Sequence, residues 1–146
     1  METVGSIMTC EVITVDMDTT LLKIREVFKK YKFHHLPIME DDELVGVISD
    51  RDLLRELSPF VNSGAEMSRD TKTLSKKAHQ VMSRKPITVT KEDSIEGASE
   101  LLLKHNISCL PVISPDGKLE GVITLRDILR FYIQVCQSDD SKKTKE

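Results

Sequence analysis

A chain that repeats itself must fold into repeated units, and here that constraint outweighs length and composition. The segment from Ile7-Met8-Thr9 to Ile13-Thr14-Val15 returns as Val81-Met82-Ser83 to Ile87-Thr88-Val89, an offset of 74 residues. At the same offset Leu36-Pro37-Ile38 returns as Leu110-Pro111-Val112. The turn Ser114-Pro115-Asp116-Gly117-Lys118 then adds one residue, and Leu44 to Arg55 matches Leu119 to Arg130 at an offset of 75. An insertion confined to a turn is what a shared structure tolerates. The copies occupy residues 4–57 and 78–133 of 146. Between them 58–77, with Pro59, Asn62, Ser63 and Gly64, reads as a linker, and 134–146 reads as a disordered tail.

Each copy carries the same local signals. Ile13-Thr14-Val15 and Ile87-Thr88-Val89 are short β-branched runs and are expected to be strands. A helix follows, with Leu21, Ile24, Val27, Phe28 and Tyr31 on one face, matched by Ile95, Ala98, Leu101, Leu102 and His105. Asp93 with Glu96 resembles a capping box at the start of the second of these helices, and Asn106 suits a left-handed end. Leu36 to Met39 and Leu44 to Ile48 are strands joined by the acidic turn Glu40 to Glu43, and Leu110 to Ile113 and Leu119 to Ile123 do the same across Pro115-Asp116-Gly117. A closing helix starts at Arg51 and again at Arg126. The unit is therefore β-α-β-β-α, an α/β fold of the mixed α+β kind. Strand-helix-strand implies a parallel crossover and the short turn an antiparallel hairpin, so each sheet is expected to be mixed and three-stranded. Two such units would bury their sheets by packing with pseudo-twofold symmetry, creating the same crevice twice.

Composition excludes several functions. The 21 Lys+Arg and 24 Asp+Glu give a formal charge of −3, without the basic face that nucleic acid requires, and aromatics are only 4%. No run approaches the roughly 20 apolar residues of a membrane span, and Met1 to Cys10 has no signal-peptide pattern. Cys10, Cys109 and Cys136 form no CxxC pair and leave an odd thiol. That usage fits a reducing compartment, hence the cytoplasm, and speaks against a zinc site.

The polar residues that recur need a reason that the core does not supply. A hydroxyl followed three residues later by a carboxylate occurs at Ser49 and Asp52 and again at Thr124 and Asp127, where a buried strand gives way to a helix. Unsatisfied N–H groups and a positive helix dipole attract an anion at such a spot, and the carboxylate can accept the two hydroxyls of a ribose. The same spacing also serves as a plain capping box, and taken alone that is the better reading.

The ordered set Val-Met-Ser, Ile-Thr-Val, His-Leu-Pro-Ile or Cys-Leu-Pro-Val, and Gly-Val-Ile-[Ser/Thr]-x-Arg-Asp, present twice, resembles a tandem pair of CBS domains, the Bateman module. A stand-alone pair of this kind is also similar to the start of acetoin-utilisation proteins. The resemblance implies a regulatory module that binds AMP, ADP, ATP or S-adenosylmethionine in the clefts between repeats, with Mg an option alongside ATP and no cofactor otherwise required. It places Asp52 and Asp127 on the ribose, with Ser49 and Thr124 beside them. Base contacts by the same analogy are Thr9, Thr14, Phe33 and His34 in the first copy and Ser83, Thr88, Ile107 and Ser108 in the second. Because a family site often draws on both repeats, the first set is expected with Thr124 and Asp127, and the second with Ser49 and Asp52.

Relatives often carry a basic residue before the Leu-Pro step that reaches the phosphates. Here the first copy has His34-His35 and the second Ser108-Cys109. The cleft using Ser49 and Asp52, with His34 or His35 nearby, is thus expected to be the better nucleotide site, with Arg51 and Arg126 as further phosphate contacts. His34-His35 beside Asp50-x-Asp52 lacks a third spaced ligand for a metal.

The resemblance further implies a homodimer buried on the closing helices, through Leu53-Leu54 and Ile128-Leu129-Phe131-Ile133, and output through an effector protein. No nucleophile or acid-base pair suggests an enzyme. The competing reading is a structural or dimerisation module with no physiological nucleotide.

Overall fold

In the computed structural model, residues 2–31, 33–57 and 72–143 are described. In chain order the elements are α1 (Val4–Ile7), β1 (Val15–Asp16), α2 (Leu21–Tyr31), β2 (His35–Glu40), β3 (Glu43–Ser49), α3 (Asp50–Glu56), α4 (Ala78–Val81), β4 (Ser83–Arg84), α5 (Ile95–His105), β5 (Cys109–Ile113), β6 (Leu119–Thr124) and α6 (Leu125–Lys143). The fold is mixed α+β, with a mixed sheet. Most of the expected linker, 58–71, lies outside the described residues.

The two hairpins differ as their turns dictate. Glu40 pairs with Glu43, leaving Asp41 and Asp42 as a two-residue loop, both at positive φ (47° and 67°), a conformation Asp tolerates better than most residues. In the second hairpin Ser114 N donates to Lys118 O at 2.8 Å, and the extra residue is absorbed by Gly117 at φ 84°. Both hairpins shift register one step further in, between Ile38 and Met39 and between Val112 and Ile113, so the bulge is duplicated along with the strands.

The chain divides into two compact units that do not coincide with the sequence repeats. One is Ile13–Pro86, here the first-repeat unit; the other, the second-repeat unit, joins Met1–Val12 to Ile87–Glu146. The first-repeat unit holds a sheet ordered β1-β2-β3-β4, with β1 parallel to β2 and the other pairs antiparallel. Among the described residues it therefore has four strands where three were expected, because β4, which lies in the opening stretch of the second repeat, pairs Ser83 with Val47 and Arg84 with Gly46. The second-repeat unit pairs β5 with β6 and adds only single bridges, Val89 with Val112 (parallel) and Thr9 with Val122 (antiparallel). The order is the same, with its outer members reduced to one residue each.

The apolar stripe of α2 is buried as its spacing predicts: Leu21, Ile24 and Val27 meet Leu36, Ile38, Ile48, Leu53, Ala78 and Met82. In the other unit Ile95, Ala98 and Leu102 of α5 meet Val4, Val89, Leu110, Val112, Ile123 and Ile128. Each large side chain so buried contributes about 1.5–3 kcal/mol.

Several local expectations need correction. Ser94, not Asp93, caps α5, accepting from Gly97 N at 2.9 Å, while Asp93 Oδ2 accepts from Thr90 N at 2.8 Å. Asn106 does adopt the left-handed end at φ 52°. The residues expected to form a disordered tail continue α6 as helix as far as Lys143, since no Pro or Gly interrupts them. Leu53 and Ile128 lie in their own units' cores and Phe131 packs partly against one, whereas Leu54, Leu125, Leu129, Tyr132 and Ile133 are exposed. The four-residue helices α1 and α4 are too short to show a periodic signal.

Candidate functional site

Both copies of the hydroxyl-x-x-Asp motif form reciprocal capping bonds. Ser49 N donates to Asp52 Oδ2 (3.0 Å) and Asp52 N to Ser49 Oγ (3.1 Å). Thr124 N donates to Asp127 Oδ2 (3.0 Å) and Asp127 N to Thr124 Oγ1 (3.2 Å). The capping role of the motif is thus realised twice, and it engages one carboxylate oxygen. The other, Oδ1, lies 3.9 Å from Arg55 in one copy and 3.9 Å from Arg130 in the other, contacts too long and exposed to count for much. An acceptor oxygen beside a basic side chain is what remains for a ligand hydroxyl.

The two carboxylates are not equivalent. Asp127 has a side chain only 9% exposed and takes a further long contact from Thr9 Oγ1, at 3.3 and 3.4 Å from its two oxygens. Asp52 is 23% exposed. Thr9 reaches Asp127 because its backbone exchanges two bonds with Val122, at 2.8 and 2.9 Å. Ser83, its counterpart, lies opposite Val47 on β3, two residues before Ser49. Each unit thus takes its hydroxyl-bearing edge residue from the opening stretch of the other repeat.

The remaining candidates sort by unit. Thr14, Phe33, His34, His35 and Arg51 share the first-repeat unit with Ser49, Asp52 and Ser83. Thr88, Ile107 and Ser108 share the second with Thr9, Thr124 and Asp127. Of the set expected with Thr124 and Asp127, Thr9 is therefore the member found in their unit. Phe33 stacks on Tyr31, with centroids 6.1 Å apart and planes 11° from parallel, and Ile107 packs against the core of its unit. Arg51 and Arg126 are exposed in the first turns of their helices.

The histidine pair distinguishes the first-repeat unit. His34 Nδ1 lies 2.8 Å from Asp50 Oδ2. His35 is held toward its neutral form, first by burial and also by the charges of His34 and Arg51, against the opposing pull of Asp50 and Asp52. Asp50 was missed as a partner of His34, although the repeat carries a signal for it: His34 aligns with Ser108 and Asp50 with Leu125, two departures that occur together. Among the described residues no group of three or more His, Cys, Asp or Glu side chains could hold a metal ion.

Cys109 stands opposite Thr124, and burial, helped by the charge of Asp127, pushes its thiol up to about 12. It is therefore protonated and unreactive at neutral pH, whereas Cys10 and Cys136 are exposed. Alkylation of native protein at pH 8, read by intact mass, is expected to label two thiols, with the third following only on denaturation. Rapid labelling of Cys109 in the native protein would contradict its placement.

The sequence pattern of the CBS domain matches residues 4–59 and 78–134, both copies and most of the chain. The chain belongs to the CBS domain family. A CBS domain-containing protein of Dictyostelium discoideum is 32% identical over 136 residues, covering 92% of this chain and 93% of its own. The crystal structure of CBSX2 in complex with AMP, a protein also solved from Arabidopsis thaliana, superposes with a TM-score of 0.77 at 32% identity, over 92% of this CBS protein and 98% of that chain. A protein assigned to acetoin utilization, AcuB of Vibrio cholerae, shares the fold at 24% identity with a TM-score of 0.77, covering 97% of each chain. No helix among the described residues is long and apolar enough to cross a membrane.

Proposed function

We propose that this CBS-domain chain is a regulatory sensor that binds an adenosyl ligand, AMP, ADP, ATP or S-adenosylmethionine, and signals through a partner or through its own oligomer. The observation that carries this reading is the near full-length likeness to CBSX2, crystallised with AMP, in a chain whose two hydroxyl-x-x-Asp motifs each keep one carboxylate oxygen clear of the capping bonds. Asp52 Oδ1 and Asp127 Oδ1 are the acceptors for ribose hydroxyls, with Ser49 and Thr124 alongside. Thr9, Thr14, Phe33, His34, His35, Ser83, Thr88, Ile107 and Ser108 are the further ligand contacts, and Arg51 serves a phosphate. Mg accompanies ATP if ATP is the ligand. The chain performs no chemistry of its own and works in the cytoplasm. A homodimer covering the exposed Leu125, Leu129, Tyr132 and Ile133 of α6 supports the signal, whose free energy is limited to the ligand's differential affinity for the two states.

Ligand at about 100 times its Kd is expected to add about 2.7 kcal/mol to stability, visible as a raised melting temperature. Native mass spectrometry of protein purified from its host should then show a bound adenosyl compound on a dimer. No shift with any of the four compounds overturns the reading. By calorimetry Asp52→Ala is expected to weaken AMP binding more than Asp127→Ala, by about 1.5–3 kcal/mol for a charged hydrogen bond, because Asp127 is more deeply buried and already contacted by Thr9. Equal losses would remove the asymmetry.

A further inference from the structure

Every large apolar side chain exposed among the described residues lies on α2, α3, α5 or α6, and none on a strand or a turn. α2 packs beside α3 in the first-repeat unit and α5 beside α6 in the second, so each unit leaves one helical layer unpartnered. α2 and α5 are repeat counterparts that bury the same stripe, yet their outer lines differ. Leu22, Glu26 and Lys29 follow one line along α2, and Glu96, Glu100 and Leu103 occupy the same positions on α5. All six are exposed, Leu103 to 81%. The leucine thus stands in the first turn of α2 but in the last turn of α5, with Lys29 and Glu96 at the opposite ends. Among the described residues neither Lys29 nor Glu96 is ion-paired.

We propose that two copies of the chain recognise each other through unlike repeats, α2 of one lying antiparallel on α5 of the other, with Leu22 on the partner's Leu103 and Lys29 on the partner's Glu96. This rests on the homodimer reading above and adds which faces meet. Two-fold symmetry makes the contact twice, because α5 of the first copy then receives α2 of the second. In no other pairing of these helices are both the leucines and the end charges matched. Antiparallel, α2 on α2 sets Leu22 against a lysine, and α5 on α5 sets Leu103 against a glutamate. Parallel, the same pairs set like charges opposite at the ends, and α2 on α5 opposes each leucine to a charge. In the proposed pairing Glu26 does meet the partner's Glu100 at the centre. Each of these acids has a lysine four residues on, Lys30 and Lys104, the spacing at which opposite charges on a helix meet. Burial of the leucines drives the contact, and the Lys–Glu pairs fix its register. Since α6 packs beside α5, its apolar stripe adjoins the same contact.

Sedimentation equilibrium of the full chain is expected to show a dimer that Lys29→Glu and Glu96→Lys each weaken about tenfold, while both substitutions in one chain restore it. A merely structural role for either residue would give no such rescue. In a Cys10→Ser/Cys136→Ser background, a mixture of Leu22→Cys and Leu103→Cys chains should be joined by a short bismaleimide, whereas neither chain alone should. A dimer indifferent to both charge reversals, or crosslinking as complete in either chain alone as in the mixture, overturns the unlike pairing and leaves the dimer. Oligomers that keep growing with concentration overturn the closed pair. A monomer at every concentration, with or without adenosyl ligand, overturns the homodimer reading and this inference with it.

Discussion

Replacing Gly121 with alanine is expected to destabilise the second-repeat unit by about 3 kcal/mol, lowering its melting temperature by on the order of 10 °C. A Cβ at this position would lie 2.5 Å from the carbonyl oxygen of Thr9 and 3.3 Å from Met8 Sδ. The oxygen cannot retreat cheaply, since it accepts from Val122 N at 2.9 Å while Thr9 N donates to Val122 O at 2.8 Å. Making room for one methyl group therefore breaks the pairing of Thr9 with Val122 that ties the N-terminal stretch to β6. The matching Gly46→Ala should cost less. Its nearest obstacle is Met82 Sδ at 2.6 Å, the far part of a flexible side chain, although Ser83 O stands at 2.9 Å. Gly117→Ala is the control. It has φ +84° and nothing within 4 Å, so only backbone strain of about 1 kcal/mol applies. A Gly121→Ala protein that melts with the wild type would show that this crossing is not tight.

Deleting residues 2–9 is expected to unfold the strands of the second repeat while leaving those of the first protected. The deleted stretch is remote in sequence from the strands it supports, yet Val4 is fully buried among Val89, Ile95 and Leu110, with Ile7 and Met8 packed around them. Val4 N donates to Asp93 O at 2.8 Å and Gly5 N to Lys91 O at 2.9 Å. Losing one buried Val with its cavity, two partly buried side chains and these bonds removes about 3–5 kcal/mol. That is comparable to the whole stability of a small unit. Hydrogen exchange read by mass spectrometry should show β5 and β6 losing protection while β2 and β3 keep theirs. Val4→Asp should act in the same direction, because it buries a charge that has no partner. Equal protection of β5 and β6 before and after deletion would mean that the second repeat is stable without its borrowed segment.

Much of the fold was legible because its signals are local. The 3.6-residue stripes of α2 and α5, the β-branched runs of the hairpins, the left-handed Asn106 and the turn at Gly117 each depend on a few neighbouring residues. Where neighbouring residues compete, the local pattern is ambiguous. Asp93 and Ser94 both suit a helix start, and Asp93 turned instead to Thr90 N. Tyr31, placed on the buried stripe, is exposed at the end of α2 and stacks on Phe33. The tail contains little to bury, so nothing in it announced a helix that simply continues from α6.

By itself the sequence determined that there are two β-α-β-β-α copies, where their turns lie, and that each sets a hydroxyl and a carboxylate three apart at the start of a closing helix. Those properties are fixed by residue spacing and by the conformations single residues accept. Only the tertiary structure decided that each compact unit is completed by the opening segment of the other repeat, that Gly46 and Gly121 make room for it, and that Asp50 pairs with His34 Nδ1. The physical reason is distance along the chain. A pairing such as Thr9 with Val122 is stabilised by contacts between residues more than a hundred positions apart, and no local pattern in either segment records the other.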